Sequence, residues 1–325
     1  MQRRKYLKAI AGSAATISIA GCSSGGEDEY PSDTITIVVP FGSGGGTDSA
    51  FRTVQDPIAQ QLPEESEFVV DNRPGATGRL GTQDVYDADS DGYTVLATPT
   101  EPVIGQFFFD VNYDVYEMTP ISYMLDNIYS LVASPDRFGN DFESFVEDAR
   151  AEDKVTLGSV GIGGSNNFAG VAALDALDID FSHVPYDSGS QVASAAASGD
   201  VDIGVAAHTG VTGLMEEDRL QMHLLLHDEQ LYEGIPVPST VEYDIPIVTF
   251  AMGMYAPPDM DEERASALED LIVSGLESDA STEAASNAGL VLQAGGADAL
   301  EDLITQIESD IESYQLILDD QGIDY

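Results

Sequence analysis

The chain has 325 residues, 58 of them acidic against 12 Lys or Arg, for a formal charge of −46 at pH 7 with histidine neutral. Such a chain repels phosphate backbones, which are held by Lys and Arg through counterion release, so nucleic acid is excluded as a partner. Disorder is excluded as well, because 43% of the residues are AVILMFWYC and the acids are spread through apolar-periodic segments.

Four of the 12 bases, Arg3, Arg4, Lys5 and Lys8, crowd the N-terminus and resemble a twin-arginine export signal. The apolar run over 9–19 has 11 residues, too few for a bilayer-spanning helix of about 20. Ile19-Ala20-Gly21-Cys22 resembles a lipobox, so Cys22, the single cysteine, is expected to carry lipid, and no intrachain disulfide exists. Residues 1–21 are therefore expected to be a lipoprotein signal and 22–33, rich in Ser, Gly and acids, a flexible tether. Beyond Lys8 the sole lysine is Lys154. Self-repulsion at this charge density is screened when the Debye length falls from about 10 Å at 0.1 M salt to about 3 Å at 1 M. The composition reads as adaptation to brine, with an extreme halophile as source; an unusually acidic mesophilic protein is the competing account.

After the tether the pattern becomes α/β. A strand is expected over 35–39, a helix over 49–61, strands over 67–71 and 94–97, and a helix over 78–86 between them. The cycle restarts with a strand over 155–158, a glycine-rich loop over 159–167, a helix over 168–177, a strand over 180–183, a small-residue helix and a strand over 201–205. Two such cycles predict two parallel-sheet lobes. Near the end, Leu300, Leu303, Ile304, Ile307, Ile311, Tyr314 and Ile317 recur at helical spacing with acids between them. This is a core-packing helix, since a membrane-surface helix would carry Lys or Arg on its polar face.

Two glycine-rich segments carry the chemistry. In each, a strand ends, glycines let the backbone come close, and a helix begins, so free N–H groups and the positive end of the helix dipole face one spot. That is an anion site, although tight turns with no ligand would look the same. Gly46-Thr47-Asp48 lacks the Gly-Lys-Ser/Thr ending of a phosphate cradle and the third glycine of a dinucleotide fingerprint. The glycines at 45 and 164 are expected to adopt positive φ.

Ile37-Val38-Val39-Pro40-Phe41-Gly42-Ser43-Gly44-Gly45-Gly46-Thr47-Asp48, Asn72-Arg73-Pro74-Gly75-Ala76 and Asp91-Gly92-Tyr93-Thr94 resemble the opening third of the Bug family, the extracytoplasmic solute receptors of tripartite tricarboxylate transporters. The likeness continues, in order, through residues 158–165, His183-Val184-Pro185-Tyr186, Gly199-Asp200-Val201-Asp202, residues 237–241 and Tyr255-Ala256-Pro257-Pro258. It implies an α/β, two-lobed, periplasmic-binding-protein-like (Venus flytrap) fold with two crossing strands between lobes: 34–126 and 248–325 as lobe 1, 127–247 as lobe 2. The crossings fall near 123–132 and 247–256. It further implies a monomeric, lipid-anchored receptor without cofactor or metal, which passes a small carboxylate to membrane permease subunits. The main binding segments it points to are Gly44, Gly45, Gly46, Thr47 and Asp48, and Gly163, Gly164, Ser165, Asn166 and Asn167; Thr98, Ser159 and Tyr186 are expected beside them, and His208, which follows a predicted strand end, either faces the cleft or is a surface histidine. Two positions depart from the family pattern: Asn167 stands where histidine is usual, and Asp187 where lysine is usual.

Other readings compete. Residues 87–92 open like an EF-hand loop, but Thr98 replaces the bidentate Glu of its twelfth position. The four histidines lack zinc-site spacing. A serine hydrolase would use Ser165, yet the second glycine of G-x-S-x-G is missing. A receptor serving a signalling partner would share every feature of the transport reading.

Overall fold

The computed structural model describes residues 30–161, 164–186, 188–207, 210–227, 233–246, 248 and 250–320. Its first sheet holds six strands in the order β11 (Leu290–Gly295), β4 (Thr119–Asn127), β10 (Phe250–Ala256), β3 (Thr94–Pro99), β1 (Ile35–Val39), β2 (Phe68–Asn72). The second holds five: β7 (Phe181–Tyr186), β6 (Val155–Val160), β8 (Ile203–Ala207), β5 (Tyr129–Ala133), β9 (Gln221–Leu225). The expected parallel lobes are corrected to mixed sheets. β1 pairs in parallel with β2 and β3, and β6 with β7 and β8, whereas β10 runs antiparallel to β3 and β4, and β5 antiparallel to β8 and β9. β11 also runs antiparallel to β4; β5 and β10 are reversed because each enters its sheet from the other one, which periodicity within one segment does not reveal.

The chain leaves the first sheet at the end of β4 and enters the second at β5, with only Ile128 between. It re-enters at β10, whose Phe250 is in register with Asn127 of β4, so the two crossings lie side by side. At this hinge the buried Asp126 accepts from Tyr123 Oη at 2.8 Å and from Gln293 Nε2 at 2.6 Å.

Helices cover the sheets where apolar periodicity demands. The first-lobe core joins Ile35, Ile37 and Val39 of β1 to Phe51, Val54 and Ile58 of α1 (Gly46–Ala59) and to Leu268 and Ile272 of α8 (Glu262–Leu276). The second-lobe core gathers Leu131, Leu157 and Val205 around Phe168, Val171 and Leu174 of α5 (Ser165–Ala176). In α5 nearly every side chain is buried, since one face lies on β8 and another meets the first lobe. The Phe108 ring, from α3 (Glu101–Phe108), lies 5.4 Å from that of Phe168. The last helix, α10 (Ala297–Asp320), spans both lobes: Leu300 and Ile304 join a core cluster with Val38 and Leu96, while Ile311 joins the second-lobe core. Glu301, Asp302 and Glu308 are exposed, as the helical spacing predicts.

One sequence motif is explained by stability alone. Asp202, at the end of Gly199-Asp200-Val201-Asp202, accepts from Arg137 Nε at 2.6 Å and from both the amide and the hydroxyl of Thr156 at 2.7 Å. Burial pushes its carboxyl up, but the Thr156 and Arg137 donors outweigh that and hold it below the usual carboxylate range.

Candidate functional site

Both glycine-rich segments lie at the carboxyl ends of parallel strands, and both helices begin three residues earlier than sequence periodicity indicates. Thr47 and Asp48 are thus first-turn residues of α1, and Ser165, Asn166 and Asn167 of α5. By position the amides of Gly46, Thr47 and Asp48, and those of Ser165, Asn166 and Asn167, have no intrahelical acceptor. Each triplet presents N–H groups along a helix axis to one point.

The two segments are built differently. In the first, Asp48 Oδ2 accepts from the Gly44 amide at 2.8 Å, and its carboxylate also takes Arg52 Nε at 2.9 Å and Asn72 Nδ2 at 3.0 Å. Asn72 Nδ2 also reaches Phe41 O at 3.0 Å, so the Asn72-Arg73-Pro74 motif ties the second strand to the loop. Burial pushes Asp48 up, and the Arg52, Gly44 and Asn72 donors pull it further down, below the usual carboxylate range. Asp48 is the anion that holds this loop. The amides of Gly44 and Gly45 are spent internally, the latter on Gly42 O at 3.0 Å, whereas those of Gly46, Thr47 and Asp48 have no acceptor within the helix.

The glycine expectation is corrected. Gly45 has φ −73° and Gly164 φ −100°, both extended; the left-handed positions are Gly44 at +76° and Gly161 at +56°. A Cβ at Gly44 would meet nothing within 4 Å, so only its backbone demands glycine. We expect Gly44→Val to cost about 1–2 kcal/mol of stability and Gly44→Asn clearly less, because Asn tolerates the left-handed region. Equal denaturant midpoints for the two variants would show that the loop does not need this φ.

The polar side chains of the second segment, Ser159, Ser165, Asn166 and Asn167, are buried. Asn166 is consumed by backbone, its Oδ1 accepting from Val160 N at 2.7 Å and its Nδ2 donating to Val205 O at 2.8 Å. Asn167 Nδ2 donates to Ser159 Oγ at 3.1 Å, which leaves the Ser159 proton for His183 Nε2 at 2.6 Å. Burial holds the His183 imidazole below its ordinary pKa, consistent with a neutral acceptor. Tyr186 lies apart from this chain. Its carbonyl accepts from Gly161 N at 3.2 Å, and its side chain lines a cavity of about 470 Å³ with Ser190, Gln191 and Ser194 of α6 (Gly189–Ser198). Gly163, His208, Asp187 and Cys22 lie outside the described residues.

Sequence reasoning missed the residue that joins the lobes. Glu101, the first residue of α3, accepts from Ser165 Oγ at 2.7 Å, and Tyr129 Oη lies 2.8 Å from the same Ser165 oxygen. A Cβ at Gly164 would sit 3.5 Å from Glu101 Cγ, so the glycine lets α5 approach α3. Glu101 is 7% exposed, burial pushes its carboxyl up, and its Oε2 has no hydrogen-bond partner. Also buried and unpartnered are Thr98 Oγ1, Thr100 Oγ1 and Asn167 Oδ1. Thr98 and Thr100 lie at the end of β3 and the cap of α3, immediately before Glu101, and Asn167 follows Ser165 in the first turn of α5. These orphan polar atoms therefore collect where the strand ends of the two lobes face each other. Gly78 connects the group to the first loop, its Cβ position lying 3.0 Å from the Phe41 ring and 3.2 Å from Pro102 Cγ.

A model of the tripartite tricarboxylate transporter family receptor matches residues 50–318. Among curated proteins, a UPF0065 protein from the gbd 5′ region of Cupriavidus necator is 27% identical over 277 residues, covering 83% of this chain and 84% of its own. A UPF0065 protein from a Pseudomonas strain is 30% identical over 199 residues, 60% of this chain, and the match spans only 59% of that relative. Among solved structures, the periplasmic binding protein BugD superposes with a TM-score of 0.76 at 21% identity, over 91% of this chain and 99% of BugD. MatC from Rhodopseudomonas palustris with bound malate gives 0.76 at 19% identity, over 88% and 99%. At these identities the structures establish the fold, that of the periplasmic binding proteins.

Proposed function

Because this chain belongs to the tripartite tricarboxylate transporter receptor family, we propose that it binds a small carboxylate between its two lobes and delivers it to the membrane permease of such a transporter. Members of the family are receptors and not enzymes, so no catalytic role is assigned to Ser165. The observation that carries the reading is the pair of helix N-termini, α1 and α5, each with three amides free of intrahelical acceptors at the facing strand ends. MatC, of the same fold, holds malate. Gly44 and Asp48 serve the site by shaping the first loop; Gly46, Thr47 and the α5 first turn supply donors, with Thr98, Ser159 and Asn167 around them.

The receptor acts outside the cytoplasm, tethered through lipid on Cys22. A thermal-shift screen of organic acids in molar salt tests the binding reading, since a ligand at about 100 times its Kd adds about 2.7 kcal/mol to apparent stability. No shift with any acid would end it. The anchor is tested separately: Cys22→Ser is expected to move the protein from the membrane fraction to the medium with acid binding unchanged, because Cys22 precedes by eight residues the point, Tyr30, at which the chain is bonded to the first lobe through Gly92 O. Membrane retention in that variant would remove the lipid from the reading.

A further inference from the structure

Two lobes joined by crossing strands move against each other by default, unless an apolar interface holds them. Here two helices of the first lobe are built into the core of the second. On α3, adjacent residues go to different cores: Val103 packs in the cluster of Val38 and Leu96, while Ile104 belongs to the cluster of Leu131, Leu157 and Phe168. Phe107 and Phe108 pack against that same second-lobe cluster, and Glu101, at the start of the helix, takes the Ser165 hydroxyl. α10 makes the same crossing over a greater length. Leu300 and Ile304 lie in the first-lobe cluster, Ile311 lies in the second-lobe core with Ile317 packed against it, and Ile307 between them touches both. At a rise of about 1.5 Å per residue, these anchors spread over roughly 25 Å of helix.

We propose that α3 and α10 form an apolar strap that holds the lobes together on one side, so that the empty receptor rests in the closed arrangement and the cleft opens by swinging about the strap. The charge of the chain gives such a device its purpose. With −46 spread over the molecule, the two lobes repel each other across the cleft. Apolar contact opposes that repulsion whatever the protonation state, because it depends on area removed from water and not on charge. Bending at Ile128 alone would pull Ile104, Phe168 and Ile311 out of one shared core, and each is now 5% exposed or less. A lobe pair already apposed also leaves the incoming ligand less ordering to do. The strap works in this way whichever solute the cleft takes.

Scanning calorimetry and small-angle X-ray scattering of the Cys22→Ser protein in molar KCl, with no organic acid present, test this. We expect one unfolding transition with equal van't Hoff and calorimetric enthalpies, because the two cores are fastened into one unit. The scattering profile is expected to fit the closed arrangement described here. Phe108→Ala combined with Ile311→Ala removes apolar contact from both strap elements. Ile203→Ala, a truncation on β8 in the same second-lobe core, controls for lost stability alone. The double variant is expected to split into two transitions and to gain radius of gyration, whereas Ile203→Ala melts lower but keeps one transition and the parent radius. Two transitions or an open profile in the Cys22→Ser parent would overturn the strap. So would a double variant as cooperative and as compact as Ile203→Ala. If the double variant does not fold, the parent's transition and profile decide.

Discussion

Asp48→Ala is expected to weaken ligand binding by at least about 100-fold, equivalent to about 2.7 kcal/mol, and to lower the unfolding free energy by about 2–3 kcal/mol. The side chain is 2% exposed and meets three donors from three parts of the chain, the Gly44 amide, Arg52 and Asn72. Truncation orphans the Gly44 amide and one of the two Asn72 Nδ2 protons, the other staying on Phe41 O, while the half-exposed Arg52 regains water; most of the loss is the cost of donors left unmet. Gly44 is then free to leave its left-handed conformation, and the amides of Gly46 and Thr47 lose the aim that loop geometry imposes. The pH dependence has a definite sign. A carboxyl held below its ordinary value in the folded state contributes stability that is complete above a pH of about 4 and is lost as pH falls through the depressed value. In Asp48→Ala that part of the acid transition is expected to disappear. Calorimetry and acid titration of the two proteins check both statements, and full affinity in Asp48→Ala would show that the first loop is not part of the site.

Transfer from about 3 M to about 0.1 M KCl is expected to unfold much of the protein at 25 °C. Screening length grows from under about 3 Å to about 10 Å across that range, so acids now shielded from their neighbours begin to repel. The structure offers little internal relief. Arg52, Arg73, Arg137 and Arg219 already serve Asp48, Asp71, Asp84, Glu152, Asp202 and Glu217, and a charge of −46 leaves most carboxylates without a base. On α10, acids such as Glu301, Asp302 and Glu308 follow one another along the exposed side. Circular dichroism melts across the salt series are the measurement; a midpoint that stays flat would mean that the fold manages its charge unaided and that brine is not required.

Local pattern determined much of this molecule. β1, β2, β3, β6 and α10 follow from residues adjacent in sequence, because alternation and helical spacing are properties of one segment packing on one surface. The glycine-rich segments are legible for the same reason: a strand end, glycines and a helix start are contiguous. Co-linear motifs made the family readable, and the model match over 50–318 bears that out. Tertiary structure alone decided what Asp48 and Glu101 do. In a chain with 58 acids neither stands out, and the enclosure of the Asp48 carboxylate by Gly44, Arg52 and Asn72 is visible only in the folded chain. Glu101 meets Ser165 across 64 residues of sequence, through a hinge at Ile128 that turns two separately folded sheets toward each other. Burial of the Glu101 carboxyl is a consequence of that approach, and no periodicity within either segment carries it.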